Sequence, residues 1–185
     1  MVAADINAAR VKALARMAHR QDMLGMLRLC VGDMASIEAV PGAHGDPRQA
    51  PQKCHTSDMA TMRFDAVLVD VPCSGSGVLA KRADLRWRRT PEQLAELLSL
   101  QARLMDAMAS LVLPGGVMVY STCSVLAQEN EEQVDAFLGR HPEFSVAAPP
   151  AGVPAEVLTN RGFMATLPFK HGTDGAFAAR LVRIM

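Results

Sequence analysis

Two short segments of this sequence place thiols where they could do chemistry. Asp70-Val71-Pro72-Cys73-Ser74-Gly75-Ser76-Gly77 sets an acid and a cysteine on either side of a rigid proline, followed by a run of small residues. Ser121-Thr122-Cys123-Ser124 puts a second cysteine directly after Val117-Met118-Val119-Tyr120 and shortly before Gln128-Glu129-Asn130-Glu131. A cysteine at a strand exit and near a helix N-terminus has a lowered thiol pKa, and its thiolate is a capable nucleophile. The small-residue loop after Cys73 lets a ligand approach the backbone closely. Either cysteine alone is equally explained by packing, the commoner fate of a free thiol. The pair is harder to dismiss. The exits of successive parallel strands share one rim of a sheet, so Cys73, Cys123 and Asp70 can face one pocket.

Other residues carry weaker signals. Asp5 ends one strand and opens a helix, where a carboxylate can accept both hydroxyls of a ribose or serve as a helix N-cap. Asp33, after Gly32, could contact an adenine amino group or cap a turn. Lys81, Arg82, Arg86, Arg88 and Arg89 crowd around Trp87 just after the Cys73 loop. Such a cluster suits phosphate contacts with a stacking aromatic, and equally suits a solvated face with Trp87 packed. Cys54-His55 has no second ligand pair at metal-binding spacing, so no metal is expected. The 12 methionines read as core filler.

The elements that must position these residues follow from apolar spacing. Val2–Ile6 reads as a buried strand, Ala8–Gln21 as a helix with Val11, Leu14, Ala15 and Ala18 on one face, and Leu27–Val31 as a second strand. From Val40 to Arg63 the periodicity is lost among Pro41, Gly42, Gly45, Pro47 and Pro51, predicting a long loop. Phe64–Val71 is a strand closed by Pro72. Glu92–Leu113 is a helix capped by Thr90, with Pro91 in its first turn and Leu94, Leu97, Leu98, Leu104 and Met108 as its apolar stripe. Pro114-Gly115-Gly116 reads as a tight turn before the strand Val117–Ser121, and Gln128–Gly139 as a helix. Pro149, Pro150 and Pro154 mark a linker. Phe163–Leu167 and Ala176–Ile184 form an antiparallel pair at a sheet edge. Apolar strands alternating with helices predict an α/β fold, a parallel sheet covered on both faces.

Composition excludes several classes. The chain has 185 residues, enough for one domain with a real core. Lys+Arg and Asp+Glu are 19 each, which excludes a strongly basic field over the whole molecule while leaving room for a local basic patch. No apolar run is long enough to span a bilayer, so no membrane partner is expected. Four cysteines are too sparse for a disulfide framework and no export signal precedes them. An intracellular location is expected, in the cytoplasm or an organelle (plastid or mitochondrion).

The Asp70–Gly77 and Ser121–Ser124 segments, with Glu129-Asn130-Glu131, together resemble the Sun-domain (RsmB-like) RNA cytosine-5 methyltransferases. Gly172-Thr173-Asp174-Gly175-Ala176-Phe177 is similar to that family's closing motif, and Asp5 and Asp33 match its two cofactor carboxylates in order and approximate spacing. The resemblance implies a Rossmann-like class I methyltransferase sheet with a C-terminal antiparallel strand pair, S-adenosylmethionine as cofactor, and RNA as partner, ribosomal RNA by default. It implies Cys123 as nucleophile, Cys73 as an aid to product release, and Asp70 between cofactor and base, with Pro72 beside it. Asp5 would hold the cofactor ribose and Asp33 its adenine. Lys81, Arg82, Arg86, Arg88 and Arg89 would meet RNA phosphates. No oligomer is expected. The family's first strand, its glycine-rich cofactor loop and its N-terminal RNA-binding domain would precede Val2, so residues 1–185 read as a partial domain. Two alternatives stay open: a class I methyltransferase of another substrate with both cysteines structural, and a truncated, non-catalytic RNA-binding fragment that keeps the Lys81–Arg89 patch.

Overall fold

The computed structural model describes residues 1–38 and 53–184. The chain divides into two compact units, Met1–Phe64 with Ala107–Leu111, and Asp65–Asp106 with Val112–Met185.

In the first unit, β1 (Val2–Asp5), β2 (Arg28–Val31) and β3 (Lys53–His55) form a parallel sheet in that order. Val2 lies opposite Arg28, Asp5 opposite Val31 and Leu29 opposite Lys53. The helix α1 (Ala8–Arg20) starts where Asn7 turns its Oδ1 onto the N–H groups of Ala9 and Arg10, at 2.9 and 3.3 Å. Its apolar face buries Val11 and Ala18 against Leu27 and Leu29, with Ala3, Leu14 and Ala15 beside them. The expected loop over 40–63 therefore needs correction. Residues 39–52 lie outside the described residues, but β3 and a short helix α2 (Thr56–Met59) follow them. A three-residue strand is too short to show a period, and only pairing with β2 makes it visible. Cys30 in β2 is fully buried and disulfide-bonded, a single bridge where four cysteines were too sparse to predict a disulfide framework.

In the second unit, β4 (Phe64–Asp70), β5 (Val112–Thr122), β8 (Ala176–Arg183) and β6 (Phe144–Val146) pair in that order, and β7 (Met164–Thr166) also pairs with β8. Phe64 N–H donates to Leu111 O and Val71 N–H to Ser121 O, so β4 and β5 run in the same direction. β8 is antiparallel to β5, β6 and β7. The sheet is mixed rather than parallel, and β8 lies inside it rather than at its edge. Alternation along β8, with Phe177, Ala179 and Leu181 buried, marks one covered face but does not say how many neighbours a strand has. β6 was not anticipated, being three residues beside the proline linker. Pro114-Gly115-Gly116 lies within β5, with Gly115 at φ +77°, instead of forming a turn ahead of it.

The helices of this unit are α3 (Leu85–Arg88), α4 (Pro91–Ala109), α5 (Glu131–Arg140) and α6 (Pro168–His171). Thr90 Oγ1 accepts from Gln93 N–H at 3.3 Å at the start of α4. That helix stops at Ala109, four residues earlier than its apolar pattern predicts, because Val112 and Leu113 join β5. The helix expected from Gln128 is split into a 3-10 turn, Ala127–Glu129, and α5, with Asn130 between them at φ −115°, ψ −102°. The reason lies in the site.

Candidate active site

β4 delivers Asp70 and then Cys73, and β5 delivers Thr122 and Cys123. The two sulfurs lie 3.0 Å apart, and among the described residues these are the free cysteines. Each is half-buried. The hydrogen bond between them acts in opposite senses on the two thiols. It lowers the Cys123 pKa to about 7, against the opposing effects of burial and of the charge on Asp70. The same hydrogen bond, then burial, pushes the Cys73 thiol well above the ordinary thiol range. Near neutral pH Cys73 therefore keeps its proton, while Cys123 divides between thiol and thiolate. Asp70, at the end of β4, accepts a hydrogen bond from Ser121 Oγ at 2.9 Å.

Backbone and small side chains lock the two loops together. Gly77 N–H donates to Cys123 O at 3.0 Å, and Gly175 N–H donates to Gly77 O at 2.8 Å. A Cβ on Gly77 would lie 2.6 Å from Gly175 O and 2.8 Å from Cys123 O, so only glycine fits. Ser76 Oγ sits 2.9 Å from Ser124 Oγ and accepts from Val125 N–H at 3.0 Å. Beneath them, the Glu129 carboxylate is 0% exposed and accepts from Ser74 N–H, Ser74 Oγ and Gln101 Nε2. Asn130 accepts from Thr122 Oγ1 and donates to Ser124 O. Tyr120 OH donates to Glu129 O at 2.6 Å, and burial raises its pKa further above its already high ordinary value. Of these bonds the one from Tyr120 OH takes the Glu129 carbonyl that a continuous helix would use, and the side chains of Glu129 and Asn130 are drawn to partners at the β4 and β5 exits where the helix breaks.

The basic cluster divides by role. Arg89 Nε donates to Ser74 O at 3.0 Å and its Nη2 to Cys73 O at 3.3 Å, so its guanidinium is a brace for the Cys73 loop. Lys81 pairs with Asp174 at 2.6 Å, and Arg82 and Arg88 pair with Asp84. Arg86 is exposed with no ion-pair partner among the described residues, and Trp87 is 89% exposed rather than packed.

In the first unit, Asp5 and Asp33 sit at the carboxyl ends of adjacent parallel strands. Asp5 is not the cap of α1, a role Asn7 takes. Its Oδ1 accepts from Asn7 N–H at 2.7 Å and its Oδ2 lies 3.5 Å from Arg10. Ala3, Ala4, Asp5, Arg10, Val11 and Leu14 line an open cleft there. Asp33 Oδ1 caps a 3-10 turn through Ala35 N–H at 3.0 Å.

Sequence reasoning gave no role to Glu129, Gln101, Asn130 or Gly175. Gln101 left a signal, since it falls in the stripe between Leu98 and Leu104, a polar residue at a core position, and it is fully buried. Glu129 is marked in the sequence only by its place in the Glu129-Asn130-Glu131 segment.

A family model described as 16S rRNA methyltransferase RsmB/F matches residues 1–182. The chain belongs to this family. A ribosomal RNA small subunit methyltransferase B from Xylella fastidiosa is 36% identical over 99% of this chain and 37% of its own length. The protein of the same name from Salmonella typhi is 38% identical over 75% of this chain and 30% of its own length. This RsmB/F chain thus spans about a third of the curated relatives it matches. NSun6 from Pyrococcus horikoshii, solved with SFG, superposes with TM-score 0.77 at 22% identity over 100% of this chain and 41% of that one. A methyltransferase homolog protein from the same organism gives 0.71 at 24% identity over 98% and 52%. These likenesses show the fold, a Rossmann-like methyltransferase sheet. Among the described residues of this RsmB/F chain, no helix is long and apolar enough to cross a membrane, and no group of three or more His, Cys, Asp or Glu could hold a metal ion.

Proposed function

We propose that the chain carries the thiol chemistry of an S-adenosylmethionine-dependent RNA methyltransferase that modifies carbon 5 of cytosine, with ribosomal RNA as substrate. The observation that carries this reading is the 3.0 Å approach of Cys73 and Cys123 beside Asp70. Carbon 5 of cytosine is a poor nucleophile. The Cys123 thiolate adds to carbon 6, forming a carbon–sulfur bond and giving carbon 5 enamine character. The cofactor, when bound, would supply an electrophilic methyl group on a sulfonium, which carbon 5 takes up as the sulfur–methyl bond breaks and leaves its electrons on a neutral thioether. A base then removes the carbon 5 proton, the carbon 6–sulfur bond breaks, and Cys123 leaves as thiolate. While Cys123 is a thioether it bears no charge, so the largest of the effects holding the proton on Cys73 is gone and burial remains. Cys73 then ionises more readily and acts in release. Asp70 is placed to hold the cytosine edge, with Pro72 beside it.

The acids of the first unit fit the cofactor as hydrogen-bond acceptors. Asp5 presents a carboxylate at a strand's carboxyl end with a cleft beside it, suited to ribose hydroxyls, and Asp33 follows the adjacent strand, suited to the adenine amino group. Arg86 and Trp87 are the groups of the basic cluster best disposed toward RNA, one an exposed cation with no ion-pair partner among the described residues and the other an exposed stacking surface.

The test is trapping on RNA containing 5-azacytosine, in a protein that includes this chain. Cys123→Ala is expected to abolish both methyl transfer and the covalent adduct. Cys73→Ala is expected to leave enzyme covalently held on RNA that contains ordinary cytosine. If Cys73→Ala alone abolished the adduct, the two thiols would exchange roles. If neither variant changed it, both cysteines would be structural.

A further inference from the structure

We infer that Glu129 and Asn130 are a paired positioning element that sets the distance between the two thiols, each residue bracketing one cysteine. This rests on the proposed roles of Cys73 and Cys123. Glu129 Oε1 accepts from Ser74 N–H at 2.7 Å and from Gln101 Nε2 at 3.0 Å, and Glu129 Oε2 accepts from Ser74 Oγ at 2.5 Å. Gln101 Nε2 spends its other hydrogen on Pro72 O at 3.0 Å. The residues before and after Cys73 are therefore both tied to the Glu129–Gln101 pair. The next residue does the same for the other thiol. Asn130 Oδ1 accepts from Thr122 Oγ1 at 2.7 Å, and its Nδ2 donates to Ser124 O at 3.0 Å. Thr122 and Ser124 flank Cys123.

The side-chain types match the two tasks. At Glu129 all three partners donate, and a carboxylate only accepts. At Asn130 one partner donates and one accepts, which an amide satisfies with its two ends. Because the two residues are consecutive, and Tyr120 OH anchors the Glu129 carbonyl at 2.6 Å, neither bracket can move without the other. The 3.0 Å sulfur separation, across 50 residues of chain, is thereby held from a single dipeptide.

The readout is the reactivity of the thiols themselves, which needs neither RNA nor cofactor. Cys123 is faced by Cys73, by the charge of Asp70 and by the charge of Glu129. The Glu129 charge raises the Cys123 pKa, so losing charge and losing position act in opposite directions. Iodoacetamide labelling of the full 185-residue chain against pH, read for each cysteine by mass spectrometry, separates them. In the parent, Cys123 labels with a midpoint at about 7. Glu129→Gln keeps acceptors for Ser74 N–H and Gln101 and turns its NH2 toward Ser74 Oγ, so the midpoint stays or falls slightly. Glu129→Ala releases Cys73 from Cys123, and the midpoint climbs toward the ordinary thiol value of about 8.5, slowing labelling at pH 7 about tenfold. Asn130→Ala shifts it in the same direction. Ser74→Ala removes one leg only and gives a smaller rise, and it carries the test if Glu129→Ala does not fold. A midpoint in Glu129→Ala at or below the parent's, or no rise in Ser74→Ala, overturns the proposal. That outcome would leave the trapping result with Cys123→Ala untouched, so the two readings fail separately.

Discussion

The acids of the first unit and the thiols of the second are both delivered by strand ends, yet they are held in opposite ways. Asp5 and Asp33 bond to backbone two residues away, Asn7 N–H and Ala35 N–H, and beyond these, among the described residues, only the exposed Arg10 pairs with Asp5. Cys73 and Cys123 sit on loops fastened by groups from α4, from the 3-10 turn at Glu129 and from the segment before β8. Six of the fastening polar side chains there, Ser74, Gln101, Thr122, Ser124, Glu129 and Asn130, are buried and bonded. A binding carboxylate works by leaving lone pairs for a ligand, whose own hydroxyls complete the site. A nucleophile paired with a second thiol works only at one separation, and that separation must exist before the substrate arrives.

If that contrast holds, damage should fall unequally. The largest effect concerns chemistry: because the Cys123 thiolate is the reactive form and its pKa is lowered to about 7, methyl transfer should decline about tenfold per pH unit below that value and level off above it. A rate profile with its acid limb displaced to the ordinary thiol range would remove the coupling from the account. Next, Gly77→Ala forces a Cβ against Gly175 O and Cys123 O, both backbone, and should cost about 3 kcal/mol in denaturant unfolding while slowing Cys123 labelling. Gln101→Leu takes a donor from the buried Glu129 carboxylate and from Pro72 O and should cost about 2 kcal/mol, with Cys73 becoming easier to label. The smallest effect belongs to the first unit. Asn7→Ala removes the cap of α1 and should cost about 1 kcal/mol, leaving the labelling profiles of both thiols where they were. A change in thiol reactivity from Asn7→Ala would blur the distinction, and a loss from Gly77→Ala no larger than that from Asn7→Ala would break it.

Much of the fold was legible because its signals are local. The α1 stripe, the Asp-ended strands β1 and β4, and the Thr90-Pro91 start of α4 all follow from 3.6-residue spacing, short apolar runs and cap chemistry. What escaped detection depended on distant partners. β3 and β6 are three residues each and exist as strands through pairing. The place of β8 between β5 and β6 is a property of three segments at once. The break before α5 could not be read from a sequence that favours helix, because its cause is Asn130 and Glu129 bonding to residues on β5 and its exit. Arg89 looked like one cation among five, and only its contact with the Cys73 loop sets it apart.

The residue types and their order along the chain settled which chemistry was possible: two thiols and an acid at strand exits, two further acids on earlier strands, and glycine where backbones cross. Tertiary structure alone decided that the sulfurs meet, which of them keeps its proton, and that a buried carboxylate and amide hold them there. The reason is that a pKa split between like groups is a function of their separation, and separation across 50 residues is set by packing and hydrogen bonds rather than by any pattern within either segment.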